Sequence, residues 1–146
     1  MRLKREDLIY QKLANAKEYL SQLKELHPHS VDGYISNLKN KRAIERQIQL
    51  VVEAVIDAGE IIVIDLSARP PRTRKEVITK LRELKVITPG LATKIIPLVS
   101  LRNRIVHEYD VVKDDLVYLS IKKVVDGVND LTNNLTAYLS ASNQTS

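Results

Sequence analysis

Residues 101–110 read Leu-Arg-Asn-Arg-Ile-Val-His-Glu-Tyr-Asp, a short polar constellation set into an otherwise apolar run. Arg102 supplies a permanent cation whose planar fork matches a phosphate. His107 supplies the side chain best suited to move protons near neutral pH. Asn103 can orient the imidazole or hold an oxygen, and Tyr109 places a phenol just beyond. On an ideal helix of 3.6 residues per turn, Asn103 and His107 share a face. Arg102 and His107 are five apart and do not stack, although an arginine is long enough to swing toward the ring.

These parts suit cleavage of RNA by its own 2′-hydroxyl. One group removes the hydroxyl proton, one protonates the departing 5′-oxygen, and a cation steadies the charge on the phosphoryl oxygens. That chemistry needs no metal. The sequence has no convincing ligand set for one: it has no Cys, and its three His, dispersed, form no His-x-x-x-His pair. Neither a metal nor a resident cofactor is expected. Acid and base roles do require two proton carriers, and the motif holds one His. A two-fold homodimer in which the motif-bearing helix ends meet would supply the second. His27 and His29 flank Pro28 at a predicted helix end, where exposed turn histidines are the usual outcome. A structural arrangement also fits the same residues, with Arg102 and His107 paired to buried acids. Glu53 and Asp57, four apart on the most apolar segment, are the natural partners.

The elements that must position this motif are helices. Ile9, Leu13, Ala16, Leu20 and Leu23 step by four and three, predicting a helix over about 6–26. Pro28 ends it, and a short turn or helix over 31–38 follows, with Ser30 as a possible cap. Ile44, Ile48, Val51, Val55 and Ile62 predict a second long helix over about 41–66, apolar on several sides and therefore central. Arg69-Pro70-Pro71-Arg72 forces a loop. Thr73-Arg74-Lys75-Glu76 is a capping box that opens a short helix to about 84. Thr88-Pro89 opens the helix that carries the motif, predicted over 89–108, with Pro97 expected to bend it or remove one backbone bond. Val117, Ile121, Val124, Val128, Leu131, Leu135 and Tyr138 alternate four and three without a slip, predicting a long last helix from Asp114 or Asp115. The expected architecture is all-α: an up-and-down bundle of four main helices with one or two short additions. It forms a single domain over 1–140 with a frayed polar tail over 141–146.

Composition agrees. With no Trp, no Phe and six Tyr in 146 residues, the core must be aliphatic, which suits Leu/Ile/Val helix packing. Four Gly and five Pro leave little material for the turns of an all-β fold. The absence of Cys is compatible with a reducing cytosol, so a cytoplasmic location is expected. The charged start lacks the apolar core of a signal peptide. The segment 48–66 is interrupted by Gln49, Glu53, Asp57, Gly59 and Glu60, so a buried helix is expected rather than a membrane span. The net charge of +5 permits a polyanionic partner such as RNA.

The run Arg102-Asn103-Arg104-Ile105-Val106-His107-Glu108-Tyr109 resembles the signature of HEPN-domain ribonucleases, in the Arg-x-x-x-x-His-x-Tyr form of HepT-like toxins. Ala43-Ile44-Glu45-Arg46 with Glu53-Ala54-Val55-Ile56-Asp57, Leu98-Val99-Ser100-Leu101 and Val117-Tyr118 extend the resemblance over about 41–138. The resemblance implies a helical-bundle endoribonuclease toxin that works without metal and as a homodimer. It makes Arg102 and His107 the catalytic pair and Asn103 the supporting polar residue. It also implies an MNT-type nucleotidyltransferase antitoxin, MntA-like, that attaches AMP to Tyr109. An AMP there adds charge and bulk where an RNA phosphate should sit. This expects the helix to loosen near Glu108 and leave the phenol exposed.

Arg72, Arg74 and Lys75, with Arg69, make a dense basic loop around Pro70-Pro71 that could hold an RNA backbone, as could Arg104. A merely solvated basic loop is the competing explanation. Lys39, Lys41, Arg42 and Arg46 form a second cluster. Two other readings of the whole chain stand beside the nuclease: a non-catalytic helical binding module that partners a nucleotidyltransferase, and a structural bundle with a buried Arg–acid network.

Overall fold

Apolar residues at helical spacing, separated by Pro, Gly and capping side chains, set the order of elements in the computed structural model, which describes residues 3–107 and 113–144. Six helices follow one another: α1 (Glu6–Leu26), α2 (Val31–Ser36), α3 (Leu38–Ser67), α4 (Arg74–Glu83), α5 (Pro89–Val106) and α6 (Asp114–Gln144). No strand occurs among the described residues. The all-α bundle is as expected, with α1, α3, α5 and α6 as its long members and α2 and α4 as the two short ones.

The central helix is α3, which packs on all five others. Its residues Ile44, Ile48, Val51, Val52, Val55, Ile56, Ile62 and Val63 are buried on several sides. They join the α1 stripe from Ile9 to Leu23 and the α6 series from Val117 to Leu135 in one apolar cluster, to which every helix contributes. No helix among the described residues is long and apolar enough to cross a membrane.

Local chemistry sets the boundaries. Ser30, Asn37, Thr73 and Thr88 each cap a helix, their side-chain oxygens accepting from Gly33, Asn40, Glu76 and Leu91 amides at 3.0–3.1 Å. Asn37 starts α3 at Leu38, earlier than apolar spacing alone indicates, because the cap lies outside the stripe. In the capping box Glu76 reaches back one residue further than the usual pattern and accepts the Arg72 amide at 3.2 Å. At the other end of α3, Ala68 adopts the left-handed conformation (φ 59°) usual for glycine, and its amide donates to Ile64 O at 2.8 Å. α5 runs through Pro97 and ends at Val106, two residues short of the expected end. α6 continues through Gln144, past the Ala141 at which the sequence reading ends the bundle.

Gly59 fixes how closely α4 approaches α3. A Cβ there would lie 2.9 Å from Leu81 Cδ1 and 3.2 Å from Val77 Cγ1, so a larger residue would force these α4 side chains to shift. α4 thereby holds its basic N-terminal end against the polar stripe of α3 described next.

Candidate active site

Gln49, Glu53, Asp57 and Glu60 step by four, four and three along α3, a polar stripe on the mostly buried middle of the helix. Arg102 meets this stripe from the last turns of α5. It is buried, with 8% of its surface exposed. Its Nε donates to Glu53 Oε1 at 3.0 Å and its Nη2 to the same oxygen at 2.5 Å. Gln49 Nε2 adds a third donor to that oxygen at 3.1 Å. On the other side Arg102 Nη1 donates to Asn103 Oδ1 at 3.0 Å. A guanidinium carries five N–H groups. The three spent here leave one on Nη1 and one on Nη2.

The electrostatics follow from this packing. Burial pushes the Glu53 carboxyl up, but the hydrogen bonds from Arg102 and Gln49 and the charges of Arg102 and Arg74 outweigh it and hold the group below the usual carboxylate range. Asp57, one turn on, behaves oppositely. Burial raises it, and the charges of Lys12, Arg74 and Arg102 only partly offset that. Asp57 makes no hydrogen bond or ion pair among the described residues. Of the two acids that the sequence nominates as partners for Arg102, the structure therefore gives Glu53 the bond and leaves Asp57 beside the pair.

His107 caps α5. Its amide closes the last helical rung on Asn103 O at 3.2 Å, and its backbone then turns extended (φ −82°, ψ 110°). The residue is exposed. His107 thus keeps the position the helix gives it. Arg104 is also exposed and lines a cleft of about 290 Å³ between α5 and α6, with Pro97, Leu101, Leu116 and Lys123. Tyr109 lies outside the described residues. His27 and His29 are exposed turn residues, His27 edge-on to Tyr118 at 5.8 Å between centroids.

The basic loop reaches the same stripe. Arg72, Thr73 and Arg74 line a cleft of about 220 Å³ with Asp57 and Glu60. Lys75 is exposed and lies outside that cleft. Sequence reading missed two contributors, Gln49 and Lys12. The four-residue step from Gln49 to Glu53 is the signal that would have found the first. Lys12 acts across the α1–α3 interface, which no local spacing marks. No group of three or more His, Cys, Asp or Glu among the described residues is placed to hold a metal ion.

A bundle of this topology, with an arginine clamped to its central helix just ahead of a helix-ending histidine, has the fold of the HEPN proteins. The chain belongs to the ribonuclease HepT-like family, whose sequence profile matches residues 16–135. It is 36% identical over 103 residues to the tRNA nuclease HepT of Aphanizomenon flos-aquae, a match that spans 70% of each chain. The tri-AMPylated HEPN toxin of Shewanella oneidensis, solved in complex with its MNT antitoxin, shares the fold with a TM-score of 0.82 at 21% identity, over 90% of this chain and 98% of that one. YutE of Bacillus subtilis, a cytosolic protein of unknown function, does so with a TM-score of 0.79 at 19% identity, over 97% and 94%.

Proposed function

We propose that the chain is a metal-independent endoribonuclease, the toxin of a toxin–antitoxin pair, acting in the cytoplasm as a homodimer. The observation that carries the reading is the guanidinium of Arg102 held by Glu53 on the helix that ends at the exposed His107, in a chain of a ribonuclease family. In the proposed step the 2′-oxygen of RNA attacks the adjacent phosphorus and the bond to the 5′-oxygen breaks. The products are a 2′,3′-cyclic phosphate and a 5′-hydroxyl. One His107 takes the proton from the 2′-hydroxyl, and His107 of a second copy gives a proton to the leaving oxygen.

Arg102 plays a narrower part than a free cation would. Glu53 offsets most of its charge, so its contribution is directional: the remaining Nη1 and Nη2 protons are held ready for the phosphoryl oxygens without reorganisation. Asn103 fixes the plane of the guanidinium through Nη1. The exposure of His107 to solvent supports its part as a proton carrier.

A surface suited to a second copy adjoins the motif. Leu119 is 65% exposed and Leu116 39% exposed at the start of α6, next to the cleft formed by Pro97 and Leu101 on α5. Exposed leucines grouped this way favour burial against a partner. Leu116→Glu with Leu119→Glu should shift the chain from dimer to monomer in light scattering. It should also lower RNA cleavage by at least about tenfold, since each monomer then lacks the second imidazole. A dimer that persists with full activity would remove this face from the account.

Regulation rests on Tyr109. An MNT-type nucleotidyltransferase antitoxin transfers AMP to its phenol and releases pyrophosphate. The ATP and magnesium belong to that enzyme. The added phosphodiester and nucleoside then occupy the place of the RNA strand. Incubation with the cognate antitoxin, ATP and magnesium should add one or more AMP masses to the wild-type chain and none to Tyr109→Phe. A product that persists in Tyr109→Phe would put the modification elsewhere.

A further inference from the structure

The α3–α4 connection carries more unpaired positive charge than a turn requires. Arg69, Arg72, Arg74 and Lys75 are all exposed, and none forms an ion pair with a described residue. They are also not loosely strung. Pro70 and Pro71 fix the backbone between them, the left-handed Ala68 sets the exit from α3, and the Thr73–Glu76 capping pair sets the entry to α4. The result is concave. A cleft of about 510 Å³ lies between the end of α3 and α4, lined by Arg69, Pro70, Pro71, Arg72, Glu76 and Lys80. Its one carboxylate, Glu76, is engaged by the Arg72 amide, and Lys80 is shared with Glu83 at 3.2 Å. The uncommitted charge in the cleft is therefore that of Arg69 and Arg72.

This cleft is not isolated. Pro71 and Arg72 also line the neighbouring cleft, which reaches Asp57. Asp57 stands one turn, about 6 Å of helix rise, from Glu53, the residue that grips Arg102. A path of two adjoining concavities thus runs from the arginines of the loop to the edge of the candidate site. Its outer end presents the guanidinium groups of Arg69 and Arg72, and its inner end the carboxylates of Asp57 and Glu60 beside Arg72 and Arg74. That polarity suits a chain of alternating phosphates and ribose hydroxyls: arginine forks take the phosphates, and carboxylates accept from hydroxyl donors. Neither cleft is lined by an aromatic residue, so base stacking plays no part and contact is to the backbone.

We propose that the paired clefts around Pro71 form a phosphate track that holds the single-stranded RNA flanking the scissile linkage, with Arg69 and Arg72 as its principal contacts. The proposal rests on the nuclease reading for its substrate and adds to it a site remote from the motif. An acidic segment of a protein partner is the competing occupant, and the test below separates the two.

The experiment measures binding of a labelled 12-nucleotide single-stranded RNA to the full chain by fluorescence anisotropy from low to moderate salt. All proteins carry His107→Ala, so that the probe stays intact. Each phosphate contact on a single strand contributes about 0.7 to the slope of log affinity against log salt. Arg69→Ala with Arg72→Ala should lower the slope by about 1.4 and weaken low-salt binding roughly tenfold. Lys39→Ala with Arg46→Ala removes the same formal charge from an exposed cluster elsewhere and should change the slope by less than half as much. The proposal is overturned if the Arg69/Arg72 pair leaves slope and affinity unchanged, as an acidic protein partner would have it. It is equally overturned if both pairs lower the slope alike, since net charge would then suffice. Cleavage by the chain with His107 intact is followed in parallel. Cleavage with a slope indifferent to Arg69 and Arg72 removes the track and keeps the nuclease. An Arg69/Arg72-dependent slope without cleavage keeps the track and removes the nuclease.

Discussion

His107→Ala should reduce RNA cleavage by about a thousandfold or more, while leaving the fold and the thermal midpoint nearly unchanged. General acid–base catalysis by one positioned side chain contributes roughly 10²–10⁴-fold. The two-fold arrangement proposed here removes both proton carriers with one substitution. The expected size is thus at least the middle of that range, about 4 kcal/mol of barrier or more. The small effect on stability follows from position. His107 is exposed and lies one residue beyond the end of α5, so its imidazole is not part of the core. Retained cleavage in His107→Ala, assayed on the same preparation that passes a thermal melt, would remove the imidazole from the reaction.

The second large effect belongs to Glu53, and it separates function from support. Glu53→Gln leaves the Arg102 guanidinium, whose side chain is 9% exposed, without its counter-charge. Breaking a buried pair in this way costs about 3 kcal/mol, and a chain of this length loses roughly 10 °C of Tm for it. The pH dependence has a definite sign. Glu53 is held below the usual carboxylate range in the folded chain. Its contribution is therefore complete above the unfolded carboxyl pKa and is lost as pH falls through the lowered folded value. The Tm gap between wild type and Glu53→Gln should be widest near neutral pH and close progressively on acidification. Arg102→Met in the Glu53→Gln background should recover much of the lost stability, because the unpaired guanidinium is then gone. It should not recover cleavage, which is expected to fall by two orders of magnitude or more without the Arg102 donors. If the double variant cleaves RNA like wild type, the Arg102–Glu53 pair is a structural strut and nothing else.

The two substitutions probe parts of the molecule that the sequence reveals unequally. The helices were legible because their signals are local. The stripe from Ile9 to Leu23, the Thr73 and Thr88 caps and the four–three spacing of α6 each state their element within a few turns. The Arg102–Glu53 pair was legible as one of two choices, since an arginine in a buried helix needs an acid and α3 offered two. Spacing cannot choose between Glu53 and Asp57, one turn apart. The choice depends on how α5 slides along α3, which packing of the whole core decides. What spacing missed altogether is the reach of the basic loop. Arg72 and Arg74 are some thirty positions from Arg102 in sequence. They come beside the same acidic stripe because α4 packs on α3, with Val77 and Leu81 seated against Gly59. The helical projection carries as far as His107 and no further, because α5 stops at Val106, two residues before the expected end.

The chemistry of the cut ends distinguishes attack by the 2′-hydroxyl from metal-assisted hydrolysis. Wild-type chain and His107→Ala are incubated with RNA in excess chelator, and the product termini are identified. The account predicts that wild type cleaves under these conditions and leaves a 2′,3′-cyclic phosphate and a 5′-hydroxyl, with neither formed above background by His107→Ala. Cleavage that stops on chelation, or that yields a 5′-phosphate and a 3′-hydroxyl, would contradict attack by the 2′-hydroxyl under His107 and Arg102.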